Sequence, residues 1–312
     1  MPNESIITVA NLKKHYGDIK AVDDLSFDVA RGQIFSCLGP NGAGKTTTVE
    51  MMEGLRTPTS GSIEIFGVDV TQDYASIRHR VGVLPQDFIP FERLKAPEAI
   101  EYFGGLYSRE MSTRDIDRLL ETVGLEHRKG IIAKKLSGGE KKKLGIALAL
   151  VGQPELLFLD EPTTGLDAQA RRNLWGLLED LRNEGTTILL TTHYLDEAEK
   201  LSDDVLIMDE GKEVARGSPE DLIGRHCGGR SILLHEYGED STEKLEAMGL
   251  AAERVRNDVK ITVGEGVSVR DVLRRLDSGG IRYKDVTTAE PTLEDAFISL
   301  VGGTIVSGEL RK

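Results

Sequence analysis

A glycine-rich loop, Gly39-Pro40-Asn41-Gly42-Ala43-Gly44-Lys45-Thr46, constrains this chain more than any other stretch. It lies between an apolar run, Ile34 to Leu38, and a segment with helical spacing. Glycines allow successive backbone N–H groups to converge on one point, and the helix start adds the positive end of its dipole. The loop therefore predicts a phosphate site in which Lys45 reaches the outer phosphates and Thr46 holds Mg²⁺. An ordinary strand-to-helix turn is the competing interpretation, so the rest of the chain has to corroborate the site.

The composition indicates a globular chain with two domains rather than one. Of its 312 residues, 39% are hydrophobic and 29% are charged, which is enough apolar material for at least one large core. The net charge of -13 disfavours a broad basic surface for nucleic acid. We find no apolar run of about eighteen residues and no charged-then-apolar start, so we expect no membrane span, no signal peptide and a cytoplasmic location. Cys37 and Cys227 are too widely separated to support a disulfide framework or a zinc site, and we expect them to be buried or inert.

The start of the chain is rich in short β-type runs. It predicts strands at Ile6 to Ala10 and Leu25 to Val29, and a third strand at Ile34 to Leu38 enters the glycine-rich loop. These runs are typical of a sheet edge. Tyr16 lies between the first two and has two interpretations: a packed strand residue, or a flat platform on which an adenine ring stacks.

Beyond the loop, the pattern predicts a helix over Thr47 to Gly54 and strands at Ser62 to Phe66 and Val81 to Leu84. Gln86 follows the last of these strands. A loop glutamine is the simpler interpretation. However, strand ends opposite a phosphate loop are where ligands to nucleotide and metal emerge in open α/β sheets.

Helical spacing dominates from Pro97 to about Ala133, with a capping-box start at Ser112 and Asp115. The run Leu136-Ser137-Gly138-Gly139-Glu140 has the same capping-box spacing before another helix. A well-capped helix is one interpretation, but it leaves two glycines in the first turn unexplained, at about 1 kcal/mol each. Bare N–H groups at a helix start bind anions, so we expect this turn to contact one. The lysines that follow, 141 to 143, are expected to form a solvated face.

Two carboxylates, Asp160 and Glu161, end the continuous apolar run Leu156 to Leu159, which is typical of a parallel strand buried on both faces. Asp160 is placed to hold Mg²⁺ and Glu161 to take a proton from an attacking water, the alternative being a simple charged turn. A later strand, Thr186 to Leu190, runs towards His193, which is either structural or a phosphate contact.

The remaining elements of this part are structural. Asp167 caps a helix that extends to Gly185 and carries Trp175 as a packing residue. Val205 to Met208 and Lys212 to Ala215 predict a closing hairpin.

From about Gly228 the pattern changes to that of a small α+β domain. Strands are predicted at Ser231 to His235, Val259 to Val263 and Ile281 to Thr288. Ser268 caps one helix, and a last helix begins at Pro291-Thr292 and ends before Gly302-Gly303. We find no catalytic constellation in this part of the sequence and expect a dimerisation or regulatory role.

With GPNGAGKT, Gln86, LSGGE, LLFLDE and His193 in this order, the sequence resembles the nucleotide-binding subunit of ABC transporters over roughly its first 220 residues. The resemblance implies an α/β fold: an ABC-type P-loop ATPase with a RecA-like core sheet, a β-rich edge subdomain and a helical subdomain at about 90–150. The ATPase domain would span 1–225. Residues 226–312 would form a small α+β accessory domain, with a ferredoxin-like arrangement as one option.

The resemblance also implies roles for single residues. Glu161 would be the catalytic carboxylate, His193 the switch histidine and Lys45 the Walker A lysine. Thr46, Gln86 of the Q-loop and Asp160 of Walker B would hold Mg²⁺. The residues implied to bind ATP are Gly39, Pro40, Asn41, Gly42, Ala43, Gly44, Lys45, Thr46 and Thr47 of the Walker A region, with Tyr16, Gln86, Ser137, Gly138, Gly139 and Asp167.

One position departs from the family pattern. The signature usually ends in glutamine, whereas this chain has Glu140. Ser137, Gly138 and Gly139 still supply the donors, and Glu140 can point back to cap its own helix. The effect on ATP affinity is left open by the sequence.

The implied mechanism is a head-to-tail homodimer in which two ATP molecules lie between Walker A of one copy and Ser137 to Gly139 of the other. The runs THYLDEAEKLSDDVLIMDEG and PTLEDAFISLVG are similar to ATPase subunits of drug and polysaccharide exporters, including the daunorubicin-resistance type. Such a subunit lies at the inner face of the cell membrane and drives a separate integral-membrane permease. The permease would dock on the helical insert, from about Pro90 to Ala133, and would choose the substrate.

A non-transport ABC ATPase that remodels nucleic acid or ribosomes is the alternative. The acidic balance, the single set of motifs and the lack of a long coiled-coil insertion in the sequence disfavour it. A stand-alone GTPase or small-molecule kinase is disfavoured further, because neither explains LSGGE.

Overall fold

The computed structural model describes residues 4–88, 91–227, 229–235, 244–245, 248–255, 258–263, 267–301, 304–306 and 309–311. The chain divides into two units, residues 1–219 with 304–312, and residues 220–303. The limits predicted at Pro90, Gly228 and Gly302-Gly303 lie outside the described residues. None of the helices in the described ranges combines the length and apolar character needed to cross a lipid bilayer.

The first unit alternates strands and helices. Its main strands are β1 (Ser5–Tyr16), β2 (Ile19–Ala30), β3 (Ile34–Leu38), β4 (Ser60–Ile65), β5 (Val68–Asp69), β6 (Val81–Leu84), β7 (Leu156–Asp160), β8 (Thr187–Thr192), β9 (Asp204–Asp209) and β10 (Lys212–Gly217). Its helices are α1 (Lys45–Met52), α2 (Val70–Ile77), α3 (Ala96–Leu106), α4 (Thr113–Thr122), α5 (Gly138–Ala149), α6 (Ala168–Asn183) and α7 (Leu195–Leu201). Short 3₁₀ turns lie at Arg78–Arg80, Glu126–Arg128 and Ala133–Lys135.

A six-stranded sheet in the order β10-β9-β3-β8-β7-β6 carries both the glycine-rich loop and the paired carboxylates. The strands from β9 to β6 pair in parallel, and β10 is antiparallel to β9. Since parallel strands end at the same edge of a sheet, the segments that follow β3, β6, β7 and β8 meet at one edge. The α/β class predicted from the sequence is confirmed.

Side chains of the central strands alternate between two hydrophobic layers. On β7, Leu157 and Leu159 pack with residues of α3 to α6, whereas Leu156 and Phe158 pack with residues of a second sheet. This second sheet has the order β2-β1-β4-β5 and forms the β-rich edge. Every residue of β3 and β7 is buried, which explains why both strands are mostly apolar, with Ser36 in β3 and Asp160 at the end of β7 as the polar exceptions.

Several predicted element limits are wrong. β1 and β2 are 12 residues long, well beyond the predicted five-residue runs, because their pairing continues to Tyr16 and Ile19. The helix after the loop begins at Lys45 rather than Thr47. The strand predicted to end at Phe66 ends one residue earlier, because Phe66 adopts a left-handed turn conformation with φ 53°.

The second unit is built on an antiparallel sheet in the order β12-β13-β11-β14. Its strands and helices are α8 (Pro219–His226), β11 (Ser231–His235), β12 (Ala251–Val255), β13 (Asp258–Thr262), α9 (Val269–Ser278), β14 (Asp285–Ala289) and α10 (Leu293–Val301). β14 begins later than the predicted Ile281, because the Ile281 N–H closes the end of α9 on the Leu276 carbonyl. The segment between β11 and β12 lies partly outside the described residues, and the ferredoxin-like class and the limits 1–225 and 226–312 stay predictions.

A short ribbon, β15 (Thr304–Val306) with β16 (Glu309–Arg311), follows in the sequence and is grouped with the first unit.

Candidate functional site

The glycine-rich loop packs closely against neighbouring backbone at two of its glycines. A Cβ atom on Gly39 would lie 2.3 Å from the Met208 carbonyl oxygen, and one on Gly44 would lie 2.3 Å from the Ala21 carbonyl oxygen. Gly44 also has φ 99°, in the left-handed region. Both positions therefore require glycine, and the path of the loop is fixed by backbone contacts.

Lys45 is the first residue of α1 and is only 5% exposed. Its Nζ donates to the carbonyls of Gly39 at 2.8 Å and Pro40 at 3.1 Å. Burial lowers the pKa of Lys45, and the carboxylates of Glu161 and Asp160 act in the opposite direction. The ammonium is thus held between the loop and the two carboxylates, where phosphate oxygens would be its natural acceptors.

Asp160, the last residue of β7, is tied to two hydroxyls. Its Oδ1 accepts from Thr191 Oγ1 and, at 3.3 Å, from Thr46 Oγ1. Burial raises the pKa of Asp160, the Thr191 hydroxyl opposes that shift, and the Glu161 carboxylate adds to it. A hydroxyl beside a carboxylate is an oxygen donor pair of the kind Mg²⁺ prefers, so these residues fit the ion implied by the sequence.

Glu161 follows Asp160 with a left-handed backbone, φ 46°. Its Oε2 accepts from Gln86 Nε2 at 3.2 Å and from Thr164 Oγ1 at 3.0 Å, and its Oε1 lies 3.2 Å from His193 Nδ1. Burial raises the pKa of Glu161, but the contacts with His193 and Thr164 outweigh it and the net shift is downward. The carboxylate is therefore ionised and oriented, as a general base must be.

The turn before α5 forms the predicted capping box. Glu140 N–H donates to Ser137 Oγ at 3.3 Å, and Ser137 N–H donates to Glu140 Oε2 at 2.8 Å. The second carboxylate oxygen accepts from Arg128 Nε at 2.6 Å. Burial alone would raise the pKa of Glu140, but these hydrogen bonds lower it. Glu140 is thus a paired, helix-capping carboxylate.

Gly138 and Gly139 differ in what surrounds them. Among the described residues, a Cβ on Gly138 would meet no atom nearer than Leu166 Cδ2 at 3.9 Å, whereas one on Gly139 would lie 3.2 Å from the Ala170 Cβ. Packing within the chain therefore does not require glycine at position 138, which is exposed.

Lys142 does not fit the expectation that lysines 141 to 143 form a solvated face. Its Nζ donates to the backbone carbonyl oxygens of Gln86 at 3.1 Å and Glu161 at 3.5 Å. Burial lowers the pKa of Lys142, and the carboxylates of Asp160, Glu161 and Asp87 oppose that shift. Three lysines in a row are indistinguishable in the sequence, and only the fold shows which one faces the strand ends.

The remaining residues predicted to bind ATP differ in exposure and in their contacts. Tyr16 is 42% exposed, Arg56 Nη1 donates to its hydroxyl at 3.1 Å, and the Lys14 ammonium lies 5.0 Å from the ring centre. An exposed ring favours the stacking platform over a packed strand residue. Asp167 caps α6 by accepting from two backbone N–H groups. Along the loop and into α1, Asn41 and Gly42 are exposed, Pro40 and Ala43 are buried, and Thr46 and Thr47 are half-buried.

A family model described as ABC transporter matches residues 22–164. The daunorubicin resistance ATP-binding protein DrrA3 of Streptomyces coeruleorubidus is 37% identical over 306 residues, which is 96% of this chain and 96% of that protein. This chain belongs to the ABC transporter ATP-binding protein family. The Nod factor export ATP-binding protein I of Cupriavidus metallidurans is 39% identical over 307 residues, 96% of this chain and 98% of its own length. The solved structure of cbiO1 from Clostridium perfringens, part of the cbiONQ transporter complex, covers 71% of this chain and 91% of its own with TM-score 0.64 and 29% identity.

Membership of the family confirms the resemblance seen in the sequence and its drug-exporter branch, since one relative is named for daunorubicin resistance and the other for Nod factor export. The ABC ATPase is therefore an enzyme that binds and hydrolyses ATP, and its fold is the ABC cassette. Its motifs supply the loop, the carboxylates, Gln86 and His193 described above.

Sequence reasoning missed the hydroxyls that hold the two carboxylates. The contact of Thr191 with Asp160 follows from strand pairing, because the two residues lie side by side in the register of β7 and β8. Thr164 follows Glu161 by three residues and its role depends on the local turn. Trp175, predicted to pack, also donates to the buried Glu197 carboxylate at 3.2 Å.

The two cysteines lie in different units, Cys37 on β3 and Cys227 just after α8. Cys37 is fully buried, and burial raises its pKa to about 12, so it is inert as predicted. Cys227 is half-buried.

Proposed function

We propose that this ABC ATPase powers an exporter as a homodimer that encloses two ATP molecules and drives a separate membrane permease. The observation that carries the proposal is the buried Glu161 carboxylate, which accepts hydrogen bonds from Gln86 and Thr164 and lies 3.2 Å from His193 Nδ1. The export of Nod factor named for one relative and the daunorubicin resistance named for another support the direction of transport. The permease would place the subunit at the inner face of the membrane.

The site residues suit in-line transfer of the γ-phosphoryl group to water. Glu161 would accept a proton from the attacking water. The water oxygen bonds to the γ-phosphorus while the bond between that phosphorus and the β–γ bridging oxygen breaks. Lys45 and His193 would meet the charge that develops, and each such donor contributes on the order of 10²–10³-fold in rate. Thr46, Asp160 and Gln86 would hold Mg²⁺, which neutralises phosphate charge when bound.

A second copy of the chain would complete each site. Ser137 and Gly138 are exposed, and packing within the chain leaves the space beside Gly138 open. Uncovered N–H groups at the start of α5 therefore suit a γ-phosphate brought by another copy. Asp167 would contribute through the loop that crosses between the two sites.

The permease would dock on an exposed apolar cluster of the helical insert. Phe91, Tyr102 and Leu106 are 45%, 51% and 64% exposed, and the rings of Phe91 and Tyr102 meet edge to face at 5.1 Å. A groove of about 540 Å³ adjoins them, lined in part by Phe103, Leu106 and Tyr107. Contiguous exposed apolar surface of this kind marks a partner site.

The substitution Glu161→Gln tests the catalytic and dimer parts together. The variant should bind ATP with Mg²⁺ normally, lose at least about 100-fold in hydrolysis because no base remains, and become dimeric with ATP by light scattering. Hydrolysis at the wild-type rate would remove Glu161 from its role.

A matched control adds Ser137→Asp to the Glu161→Gln chain. Aspartate still caps α5 but places negative charge beside the partner's γ-phosphate, so this chain should bind ATP and stay monomeric. If the doubly substituted chain still became dimeric with ATP, the two-copy site would be refuted.

A further inference from the structure

Lys142 reaches the candidate site, whereas the lysines on either side of it do not. Its ammonium donates to the carbonyl oxygens of Gln86 and Glu161, at 3.1 and 3.5 Å. Lys141 and Lys143 make no side-chain hydrogen bond or ion pair with any part of the chain that the structure describes. The three residues share one helix and one charge, so the difference between them is one of position alone.

Lys142 is half-buried on α5, and its ammonium donates to two backbone carbonyl oxygens. Each carbonyl belongs to a residue just beyond a strand of the parallel sheet, Gln86 after β6 and Glu161 after β7. These two strands are neighbours in the sheet. The ammonium of Lys142 therefore joins the backbone at two adjacent strand ends.

Both acceptors of Lys142 are backbone groups of residues that already touch each other. The Gln86 side chain donates to Glu161 Oε2 at 3.2 Å, so one ammonium holds the backbone at both ends of that contact. Glu161 also has a left-handed backbone, which persists only when its surroundings fix it. A donor on the Glu161 carbonyl oxygen is such a constraint.

We propose that Lys142 is a positioning residue for ATP hydrolysis, which fixes the backbone of Glu161 and links that carboxylate to the Ser137–Glu140 turn on the same helix. Lys142 does not contact the reacting atoms; it acts through Glu161 and Gln86. In the two-copy site, and resting on that proposed function, the turn meets the partner's ATP. Lys142 then connects the ATP bound by one copy to the catalytic carboxylate of the other site.

The test compares three methionine variants of the full chain in steady-state ATP hydrolysis. Lys142→Met should lower kcat by roughly 10- to 100-fold, because a carboxylate displaced by about 1 Å loses rate on that scale. The KM for ATP should change by less than about 3-fold, because the phosphate loop is untouched. Lys141→Met and Lys143→Met should both retain wild-type kcat and KM.

Rescue separates positioning from general destabilisation. Lys142→Arg keeps the charge and the donors and should restore kcat to within roughly 5-fold of wild type. Should Lys142→Met fail to fold by circular dichroism, Lys142→Gln, which keeps an N–H donor, takes its place with a smaller expected loss. Wild-type kcat in the folded variant, an equal loss in Lys141→Met, or a raised KM with unchanged kcat would each overturn the proposal.

The positioning role and the two-copy site fail independently. If Lys142→Met lowers kcat while Glu161→Gln stays monomeric with ATP, the contacts of Lys142 with Gln86 and Glu161 explain the loss and only the two-copy site is rejected. If Glu161→Gln dimerises and Lys142→Met hydrolyses ATP like wild type, Lys142 is rejected and the dimer stands.

Discussion

Replacing Arg128 with alanine should loosen the first turn of α5, because Arg128 holds the carboxylate that caps this helix. Glu140 uses one oxygen for the Ser137 N–H and the other for Arg128 Nε at 2.6 Å. Without the guanidinium, Glu140 keeps its negative charge but loses the partner that orients it. Glu140→Gln removes the charge and keeps the cap, because glutamine also serves in a capping box.

The size of the effect follows from geometry and exposure. A charge-assisted N–H···O bond of 2.6 Å is short and strong in isolation. However, the Arg128 side chain is 43% exposed and that of Glu140 18%, so solvent screens the pair. Exposed pairs contribute about 0.2–1 kcal/mol, and the good geometry places this one at ~0.5–1 kcal/mol. That corresponds to roughly a 2- to 5-fold change in a local opening constant.

Hydrogen exchange of a peptide covering Ser137 to Leu144 measures that opening directly, under conditions where exchange reports opening free energy. Arg128→Ala should speed exchange by roughly 2- to 5-fold in the wild-type chain and have almost no effect in the Glu140→Gln chain. Lys129→Ala breaks a neighbouring pair with Asp117 and should leave this peptide unchanged. Equal effects of Arg128→Ala in both chains would show that the two side chains are not coupled.

Two further outcomes are expected. Tyr16→Ala should weaken ATP by roughly 5- to 50-fold and inorganic triphosphate much less, because only ATP carries a base that stacks; equal losses in calorimetric titrations would reject stacking. Burial, with Asp160 and Glu50 adding to it, raises the pKa of Glu53 to about 8. The folded chain then keeps a proton that the unfolded chain releases above its ordinary value of 4.5, so stability falls as pH rises between these values. The melting temperature of Glu53→Gln relative to wild type should therefore rise steadily from pH 5 to 8. The exposed control Glu64→Gln should show no such rise. A difference for Glu53→Gln that is constant with pH would count against the raised pKa of the buried carboxyl.

Features that depend on residues close in sequence were predictable. The capping boxes of Ser112 and Ser137 rest on side chains three positions apart, and both form. The gathering of Gln86, Glu161 and His193 was also predictable, because the ends of neighbouring parallel strands share one edge of the sheet. Their roles in catalysis stay predictions until tested.

Features that depend on packing between distant elements were not predictable. Arg128 lies in a 3₁₀ turn and reaches Glu140 only because that turn packs beside α5. Lys142 differs from its neighbours only by the direction in which α5 presents it. The predicted lengths of β1 and β2 were too short because the distal half of this hairpin is mostly polar. Polar residues near buried Leu12 and Val22 do not give the hydrophobic pattern typical of a strand.

With Tyr16 as the predicted platform for the adenine ring, that hairpin would also set the separation between the base and phosphate parts of the nucleotide site. Tyr16 pairs with Ile19, and two residues later the Ala21 carbonyl touches the phosphate loop at Gly44. The distance between Tyr16 and the phosphate loop is therefore set by backbone pairing and backbone contact. A shift in the register of β1 against β2 would move the aromatic ring while leaving the loop in place. Discrimination between ATP and bare polyphosphate would then depend on strand register, which can change without altering any phosphate contact.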